Sequence, residues 1–548
     1  MKNWVKSGSP WIWLTAGSVA VSLLALIGIL LLLAGQGMRY FWPSPVYQFE
    51  LNQNGAGPVT VIGELYQQQS ISRRAAESGR DAAGRGAKRR TLSDQGRQPR
   101  ARGAGFRTLL ASDIRSQSTP RGLLVLERDS HGTAYGYLAG LLEDGQPLTG
   151  RNLGQALQQR LPQIAALSRQ AHDIQFRDMA RINQQFDALR LREKRLQRDD
   201  KLDARAQDAI KAERLELQRQ YQLLSERLAG LNRDRQRDAL LLRDMHGQTL
   251  TIPLSQVRDA WYPNAMNTTE KLAHWGEQVK KFLTDSRVRR IPEGGVFPAI
   301  FGTVLMVILM SIVVMPFGVI AAVYLHEYAG NNLLTRVIRI AVVNLAGVPS
   351  IVYGVFGLGF FVYMIGGTLD QLFYPESLPN PTFGTPGVLW AALTLALLTL
   401  PVVIVATEEG LSRIPTSLRQ GSMALGASRA ETLWRIVLPM AAPAMMTGLI
   451  LAVARAAGET APLMLVGVVK SVPVLPVDEI FPYLHLERKF MHLSFQIYDM
   501  AFQSPSVEAA RPLVFATAFL LVTIVVSLNL AAMGIRHSLR ERYRAWSQ

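Results

Sequence analysis

The sequence predicts an all-α polytopic membrane protein that carries one large insertion between its first two spans. Of the 548 residues, 48% are hydrophobic and only 18% are charged, whereas a typical soluble domain has about 25% charged residues. Six apolar stretches reach the roughly 20 residues that an α-helix needs to cross a bilayer core of about 30 Å. The segment between the first two stretches, residues 39–292, is long enough to form a domain of its own.

The composition also excludes several classes of protein. The chain has no cysteine, which rules out disulfide scaffolds, thiolate zinc sites, cysteine nucleophiles and Cys-ligated iron–sulfur clusters. The sequence contains no P-loop, no zincin motif and no serine nucleophile elbow. We therefore expect a chain that is not an enzyme, with no catalytic residue, no metal ligand and no bound cofactor.

Each predicted span follows from one apolar run. The first run comes after Lys2 and Lys6 and is longer than the core of a signal peptide, which indicates an uncleaved anchor, residues 1–38 with its tail. The third run is rich in glycine and is interrupted by Pro349. The six spans are predicted at Trp11–Ala34, Phe297–Leu325, Val337–Ile365, Val388–Ala406, Pro443–Val469 and Pro512–Met533.

The positions of lysine and arginine predict the orientation of the spans, because short cytoplasmic segments carry an excess of both. With the N-terminus inside, every short cytoplasmic segment contains a basic cluster. The short outside loop Gly366–Gly387 has no basic residue. We therefore expect both termini in the cytoplasm and the insertion, residues 39–292, on the outer side.

The insertion begins and ends with segments that are typical of strands. Apolar residues alternate loosely in Tyr47–Ile71, in Gly122–Leu142 and in Gln248–Val257, which predicts a small β base. Residues 73–105 are rich in Arg, Gly and Ala and have almost no large apolar residue. Such a composition predicts a disordered basic tract.

Residues 153–246 have the pattern of a coiled coil. Apolar residues recur at alternating spacings of three and four, with one slip between Ile174 and Met179. A polar segment at Asp199 divides the region, which favours a helical hairpin over one long helix or pairing with another subunit. The basic surface suits a solvated face or an anionic ligand; nucleic-acid binding is disfavoured because aromatic residues are sparse and the location is outside.

The loop at residues 408–440, between spans four and five, carries the most specific pattern. We expect a short helix at Ser417–Leu425, a turn at Gly426, and a second helix that Pro439 ends before the next span begins. The loop resembles that of ABC importer permeases. Their pattern is Glu-Ala-Ala, three residues, Gly, nine residues, Ile, one residue, Leu-Pro. Counted from Gln420, this chain has Gly426, Ile436, Leu438 and Pro439 at the matching positions. The first triplet is Gln420-Gly421-Ser422 in this chain, so the family's acidic residue is missing there. The predicted ATPase coupling residues are Gln420, Gly421, Ser422, Ala424, Leu425, Gly426, Ala427, Ile436, Leu438 and Pro439.

Span five contains an arginine and a glutamate four residues apart. A charged side chain at the centre of a bilayer costs roughly 2.5–3.5 kcal/mol, so an ion pair there indicates a functional site. The spacing predicts one shared helix face, and arginine binds phosphate oxygens through paired hydrogen bonds. The alternative is a structural ion pair between helices. The candidate residues of a substrate pathway are Arg455, Glu459, Thr460, Thr447 and Ser350.

Three segments identify the family that the second half resembles. Glu293–Thr303, Leu345–Gly357 and Thr447–Leu463 are similar to the PstA permeases of phosphate-specific ABC importers. The resemblance covers Gly294–Arg544 and implies the type I ABC importer permease fold for residues 293–548. It also implies a bacterial inner-membrane protein that forms half of a phosphate pathway, with its insertion in the periplasm.

The partners follow from the same resemblance. It implies a PstC-like permease subunit, a dimer of a PstB-like ATPase that binds ATP and magnesium, a periplasmic PstS-like phosphate-binding protein, inorganic phosphate and membrane lipid. No nucleic-acid partner is expected. Two other functions remain open at this point: a permease for another oxyanion, molybdate or sulfate, or a membrane-anchored periplasmic coiled coil that serves as a scaffold or senses phosphate status.

Overall fold

The fold is described from a computed structural model of the chain. The described residues are 9–53, 56–70, 88–93, 106–110, 113–128, 132–148, 152–284, 295–330, 332–472, 474–478, 482–504 and 507–544. The chain divides into two compact units: a membrane unit, Met1–Tyr40 with Phe282–Gln548, and an insertion, Phe41–Lys281.

The helices of the membrane unit are α1 (Ser9–Arg39), α6 (Phe297–Val323), α7 (Leu333–Leu345), α8 (Ser350–Phe356), α9 (Gly367–Phe373), α10 (Val388–Ser412), α11 (Thr416–Ala424), α12 (Arg429–Thr432), α13 (Leu438–Gly458), α14 (Ala461–Val466), α15 (Leu493–Tyr498) and α16 (Val507–Arg544). Those of the insertion are α2 (Leu153–Asp173), α3 (Met179–Arg198) and α4 (Ala204–Gln236); α5 (Thr268–Thr284) leads from it into the membrane unit. Wider π-helical turns extend several of them, at Ile174–Asp178, Tyr324–Tyr328, Gly357–Gly366, Leu433–Val437 and Asp499–Gln503.

Within the described residues, the six predicted spans are confirmed in number. In order they are Trp11–Arg39, Phe297–Tyr328, Ser350–Phe373, Val388–Ser412, Arg429–Gly458 and Ala510–Ser538. Span four is the central helix, because 67% of its most apolar window is buried, whereas none of the corresponding window of span one is. We call the end of the membrane unit where span four finishes and span five starts the loop end.

The third predicted stretch, Val337–Ile365, is divided into two helices. Helix α7 ends at Leu345, and the longer helix of span three starts at Ser350. Pro349 explains the break, because proline lacks a backbone donor and disfavours helical backbone in the residue before it. The Tyr353 hydroxyl donates a hydrogen bond across this break to the Leu345 carbonyl, 2.5 Å away.

Two antiparallel sheets form the base of the insertion. The strands are β1 (Val46–Gln53), β2 (Ala56–Ser70), β3 (Lys88–Ser93), β4 (Phe106–Leu110), β5 (Ile114–Ser118), β6 (Leu123–Arg128), β7 (Ala134–Glu143), β8 (Gln146–Pro147), β9 (Asp238–Arg243), β10 (Thr249–Pro253) and β11 (Val257–Trp261). The first sheet has the order β4-β3-β2-β1-β5, and the second has the order β10-β9-β7-β6-β11, with β8 paired to β7.

Strand β6 explains how the layers pack. Leu123 and Val125 pack with residues of the first sheet, whereas Leu124 and Leu126 pack against α2 on the other face. Side chains of a strand alternate between faces, so a strand that is covered on both sides is a continuous apolar run. The result is a three-layer order of first sheet, second sheet and helix.

The helical hairpin of the insertion joins α2 and α3 to α4. Ile182 and Leu189 pack against Ile210 and Leu217 across it. The slip in apolar spacing falls at the π-helical turn Ile174–Asp178. A π-helical turn adds one residue to a helix and thereby restores the apolar stripe to the same face.

Two boundaries predicted for the insertion were wrong. Strand β3, Lys88–Ser93, lies within the predicted disordered tract 73–105 and pairs with β2 and β4; the remainder of that tract lies outside the described residues. Strand β9, Asp238–Arg243, lies within the predicted coiled coil 153–246. Its leucine run is compatible with the period of a helix and with that of a strand. The segment is a strand because it pairs with β7 and β10.

Candidate functional site

The predicted spans three and five are each divided by a break, before Ser350 in one and after Gly458 in the other, and the helices that follow the two breaks pack together. The helix of span five ends at Gly458, and the short helix α14 starts at Ala461. A Cβ atom on Gly354 of α8 would lie 2.7 Å from the Pro462 Cα atom of α14. Only glycine permits this approach. Interrupted helices of this kind surround substrate sites in many transporters.

The predicted ion pair lies at the break in span five. The Arg455 Nε atom is 3.7 Å from the Glu459 Oε1 atom, and the two side chains are 31% and 20% exposed. Glu459 is the C-cap residue of the helix, with φ −73 and ψ 138. Because its φ is still helical, its side chain lies on the face of Arg455, as the spacing predicts, and only the backbone after it is extended. Because 3.7 Å exceeds a hydrogen-bond distance, the two groups attract each other without a fixed geometry.

A segment after span five holds the backbone at this break. The Ser494 hydroxyl donates to the Glu459 carbonyl at 2.8 Å, and it also lies 2.7 Å from His492 Nδ1. The Leu493 amide donates to the Thr303 hydroxyl of span two at 3.0 Å. Burial lowers the pKa of His492 to about 3, so this imidazole is neutral. Neutral groups therefore position the charged Glu459.

Thr460 and Ser350 each lie at the start of one of the two helices that follow the breaks. Thr460 follows Glu459 directly, and its carbonyl accepts a hydrogen bond from the Met464 amide of α14 at 3.2 Å. Ser350 is the first residue of α8, the helix that packs against α14. Arg455 of α13 lies near enough to Tyr353 of α8 for an electrostatic interaction. Arg455, Glu459 and Thr460 therefore lie together at one break, and Ser350 begins the helix that packs against α14.

Thr447 lies apart from the other four. It precedes Arg455 by eight residues on one helix, which corresponds to about 12 Å along the axis. Its hydroxyl donates to the Pro443 carbonyl at 2.8 Å. Within the described part of the chain, no group of three His, Asp or Glu side chains is arranged to hold a metal ion.

Sequence reasoning missed Tyr353 and Ser494. Both are uncharged residues whose roles depend on a partner in another segment, Leu345 for one and Glu459 for the other. The only sequence signal is that Tyr353 lies in the glycine-rich stretch after Pro349. No spacing rule points to Ser494.

The predicted short helix of the loop is present as α11, and the turn at Gly426 is confirmed. Gly426 has φ +91, a left-handed conformation that favours glycine. The Ala427 amide donates to the Ser422 carbonyl at 3.3 Å, and the Gly426 amide donates to the Met423 carbonyl at 3.0 Å. These two bonds form a Schellman motif, which ends the helix.

The second helix of the loop starts as expected and continues further than expected. Ser428 and Glu431 form a reciprocal capping box at its start. The prediction that Pro439 ends this helix was wrong, because the helix runs without interruption into span five. The π-helical turn just before Pro439, in which the Leu438 amide donates to the Leu433 carbonyl, widens the helix and makes room for the proline ring.

The loop presents an exposed surface at the loop end. Helix α11 has no buried residue, and Leu425 and Trp434 are 91% and 75% exposed. The predicted coupling residues divide into an exposed and a half-buried group. Gln420, Gly421, Ala424, Leu425 and Gly426 are exposed; Ser422, Ala427, Ile436, Leu438 and Pro439 are half-buried.

Two further ion pairs connect elements at the loop end. Arg419 of α11 contacts Glu327, at the end of span two, at 3.0 Å. Arg339 of α7 contacts Glu408 of span four at 3.5 Å. Sequence reasoning missed the first pair, although Glu327 lies two residues after the apolar run of span two. A charge at that position marks a span end but does not reveal its partner.

Comparison with known proteins identifies the family. A family model described as binding-protein-dependent transport system inner membrane component matches residues 314–544. The phosphate transport system permease protein PstA 1 of Mycobacterium tuberculosis (strain ATCC 25618 / H37Rv) is 34% identical over 252 residues, 46% of this chain and 72% of that protein. Its counterpart PstA in Yersinia pestis is 33% identical over 242 residues, 44% of this chain and 72% of that protein.

A third relative is similar over a comparable length. The probable ABC transporter permease protein YqgI of Bacillus subtilis (strain 168) is 30% identical over 257 residues, 46% of this chain and 81% of that protein. The chain belongs to the family of binding-protein-dependent transport system inner membrane components, among the PstA-type ABC importer permeases.

Proposed function

We propose that this chain is one permease subunit of an ATP-driven importer of inorganic phosphate. The observation that carries the proposal is the Arg455–Glu459 pair at the joined helix breaks. The names of the PstA relatives support phosphate as the substrate. A planar guanidinium can bind two phosphate oxygens at once, which an ammonium group cannot do.

Glu459 gives the site its reversibility. In the absence of phosphate it neutralises Arg455 across 3.7 Å, which lowers the cost of a charge within the membrane. When phosphate arrives, it competes with the carboxylate for the guanidinium. The returning carboxylate then repels the anion and favours its release.

Hydroxyl groups complete the proposed pathway. Thr460 and Ser350 lie beside the two breaks and can donate hydrogen bonds to phosphate oxygens. Thr447 would have to exchange its bond to the Pro443 carbonyl for one to phosphate. We expect its contribution to be the smallest of the five residues.

The loop surface supports a separate ATPase as the energy source. We propose that a dimer of a PstB-like ATPase, which binds ATP and magnesium, holds α11 and the exposed Leu425. A PstC-like permease subunit would complete the pathway, and a PstS-like protein would deliver phosphate. Gln420 occupies the position of the family's glutamate, so this contact to the ATPase would be a hydrogen bond instead of an ion pair.

The basic residues near the span ends support the orientation. Arg336, Arg339 and the arginines of the loop all lie at the loop end, which the excess of positive charge assigns to the cytoplasm. The insertion then lies in the periplasm. Both termini are cytoplasmic in this arrangement.

The test is uptake of radiolabelled phosphate by cells that lack only this chain. The cells are complemented with the intact protein, with Arg455→Ala, or with Arg413→Ala as a matched control, since Arg413 forms an ion pair of the same spacing and length with Glu409 but is 79% exposed. Three results together support the proposal: Arg455→Ala abolishes uptake, Arg413→Ala preserves it, and excess sulfate or molybdate leaves it unchanged. Uptake that sulfate or molybdate suppresses, or that survives Arg455→Ala, overturns it.

A further inference from the structure

We propose that Glu327 and Arg419 form the joint through which helix α11 moves span two. Each is a positioning residue, because neither lies near the proposed phosphate site. This inference rests on the proposed function and deepens it. It concerns how movement of the loop reaches the spans, not what crosses the membrane.

The argument starts from how weakly α11 is attached. The helix has no buried residue of its own. Ile414, just before it, is packed in an apolar cluster with Leu411 and Leu433, and Ser422 lies 2.9 Å from the Thr432 hydroxyl. These contacts connect α11 to spans four and five, its neighbours along the chain.

Arg419 connects the helix to a distant part of the chain. Its Nη2 atom lies 3.0 Å from the Glu327 Oε1 atom and donates to the Leu411 carbonyl at 2.8 Å. One guanidinium therefore joins α11 to the ends of spans two and four. Both side chains of the ion pair are less than one-fifth exposed, so solvent screens their attraction only weakly.

Glu327 is itself held in place. It belongs to the π-helical turn Tyr324–Tyr328 that ends span two, and its Oε1 atom also lies 3.0 Å from His326 Nδ1. A carboxylate with a fixed backbone and two partners resists sideways displacement. When the ATPase moves α11, the displacement passes through Arg419 to span two.

The loss of one partner would leave a half-buried charge with fewer contacts, which is costly. In Glu327→Gln, the amide keeps the shape of the side chain and removes its charge. The joint then loses its ionic contact while the fold of span two is retained. Glu409→Gln is the matched control, because Glu409 forms an ion pair with Arg413 at the same end of the molecule but is 66% exposed.

The experiment uses the complete transporter, reconstituted in proteoliposomes with its partner subunits. Phosphate transported per ATP hydrolysed is measured for the wild type, Glu327→Gln, Glu409→Gln, and the charge exchange Glu327→Arg with Arg419→Glu. We expect Glu327→Gln to retain ATPase copurification and basal ATP hydrolysis but to transport about tenfold less phosphate per ATP. The charge exchange should recover part of the loss, and the control should match the wild type.

A second measurement tests the joint independently of the substrate. Hydrogen exchange of the backbone amides of residues 416–425 should be faster in Glu327→Gln than in the wild type and unchanged in Glu409→Gln. Unchanged transport per ATP together with unchanged exchange overturns the joint. If the wild type transports no phosphate but exchange is faster in Glu327→Gln, the proposed function is overturned and the proposal for the Glu327–Arg419 joint is retained.

Discussion

The two ion pairs Arg455–Glu459 and Arg419–Glu327 have the same chemistry and different surroundings. The first joins residues four apart along the chain, at 3.7 Å, where a helix ends. The second joins two separate elements at 3.0 Å, and its arginine is also bonded to a backbone carbonyl. Both are shielded from solvent to a similar degree.

The difference shows which features suit an ion pair to binding an anion and which suit it to transmitting movement between elements. A loose pair at a helix break can open for an incoming anion, because little geometry is lost when it separates. When a tight pair between two elements separates, those elements lose the contact through which one can move the other. Burial alone does not distinguish the two roles, whereas distance and the number of elements joined do.

After Arg455→Ala, the largest effect should come from breaking the turn that positions Arg419. Valine at position 426 must adopt φ near +91, which is strained for a β-branched residue. We expect Gly426→Val to reduce phosphate uptake at least tenfold by displacing α11, since strain of this kind costs on the order of 1–3 kcal/mol. Uptake in complemented cells and copurification of the ATPase measure the effect.

The control for this variant is Gly534→Ala, at a helical position of α16 with open space around it. Alanine favours helix over glycine, so uptake should be retained. If Gly426→Val also retains normal uptake and ATPase binding, the loop end does not transmit movement in the way that the comparison requires.

Glu459→Gln and Glu327→Gln should have different effects on the kinetics of uptake. Without the carboxylate, Arg455 holds phosphate more strongly, so we expect both the KM and the maximal rate of uptake to fall, the rate by about tenfold, as one lost charge contact is worth on the order of 1.5–3 kcal/mol. Glu327→Gln should lower the rate and leave the KM unchanged. Uptake at a series of phosphate concentrations gives both constants. Equal KM values in the two variants would contradict the division into a binding pair and a transmitting pair.

Ser494→Ala should have a smaller effect on the binding pair. The hydroxyl fixes the Glu459 carbonyl, and loss of one such bond costs about 1 kcal/mol. We expect a reduction in uptake of about fivefold. Ser527→Ala is the control, because the Ser527 hydroxyl bonds only within its own helix, to the Thr523 carbonyl at 2.7 Å. Identical uptake in both variants would show that the α15 segment does not position Glu459.

The smallest effect on transport should come from the insertion. Burial raises the pKa of Glu64 in β2 to about 7, and a hydrogen bond with Tyr135 opposes the shift. Because the folded-state pKa is above the unfolded value, the protonated carboxyl favours folding at low pH, and this contribution is lost as the pH rises through 7.

Glu64→Gln should remove this dependence. Hydrogen exchange of β1 and β6, corrected for the intrinsic effect of pH, should accelerate between pH 6 and pH 8 in the wild type and not in the variant. Phosphate uptake should be the same in both proteins. A pH dependence that persists in the variant would assign it to another group.

The role of the helical hairpin can be tested without disturbing the sheets. Its outer part, residues 175–224, lies beyond the region where α2 packs on the second sheet. We expect a protein with a short Gly/Ser linker in place of this part to transport phosphate normally. A loss of uptake would show that the insertion contributes to transport.

Particular elements show how far the sequence alone leads. The six spans, the turn at Gly426 and the slip before Met179 follow from local rules of apolar length, backbone conformation and helical period. The predictions for Pro439 and for the segment that forms β9 were wrong. In each case a neighbouring turn or a pairing strand overrides the local preference.

By itself, the sequence determined the membrane class, the order of the spans, the loop pattern and the presence of Arg455 and Glu459. Each of these depends on interactions within about one turn of helix or on the total apolar length. Only the tertiary structure decided which side chains meet across the chain: Ser494 with Glu459, Tyr353 with Leu345, and Arg419 with Glu327. The physical reason is that a polar side chain of one segment does not specify its partner until packing has brought the two segments together.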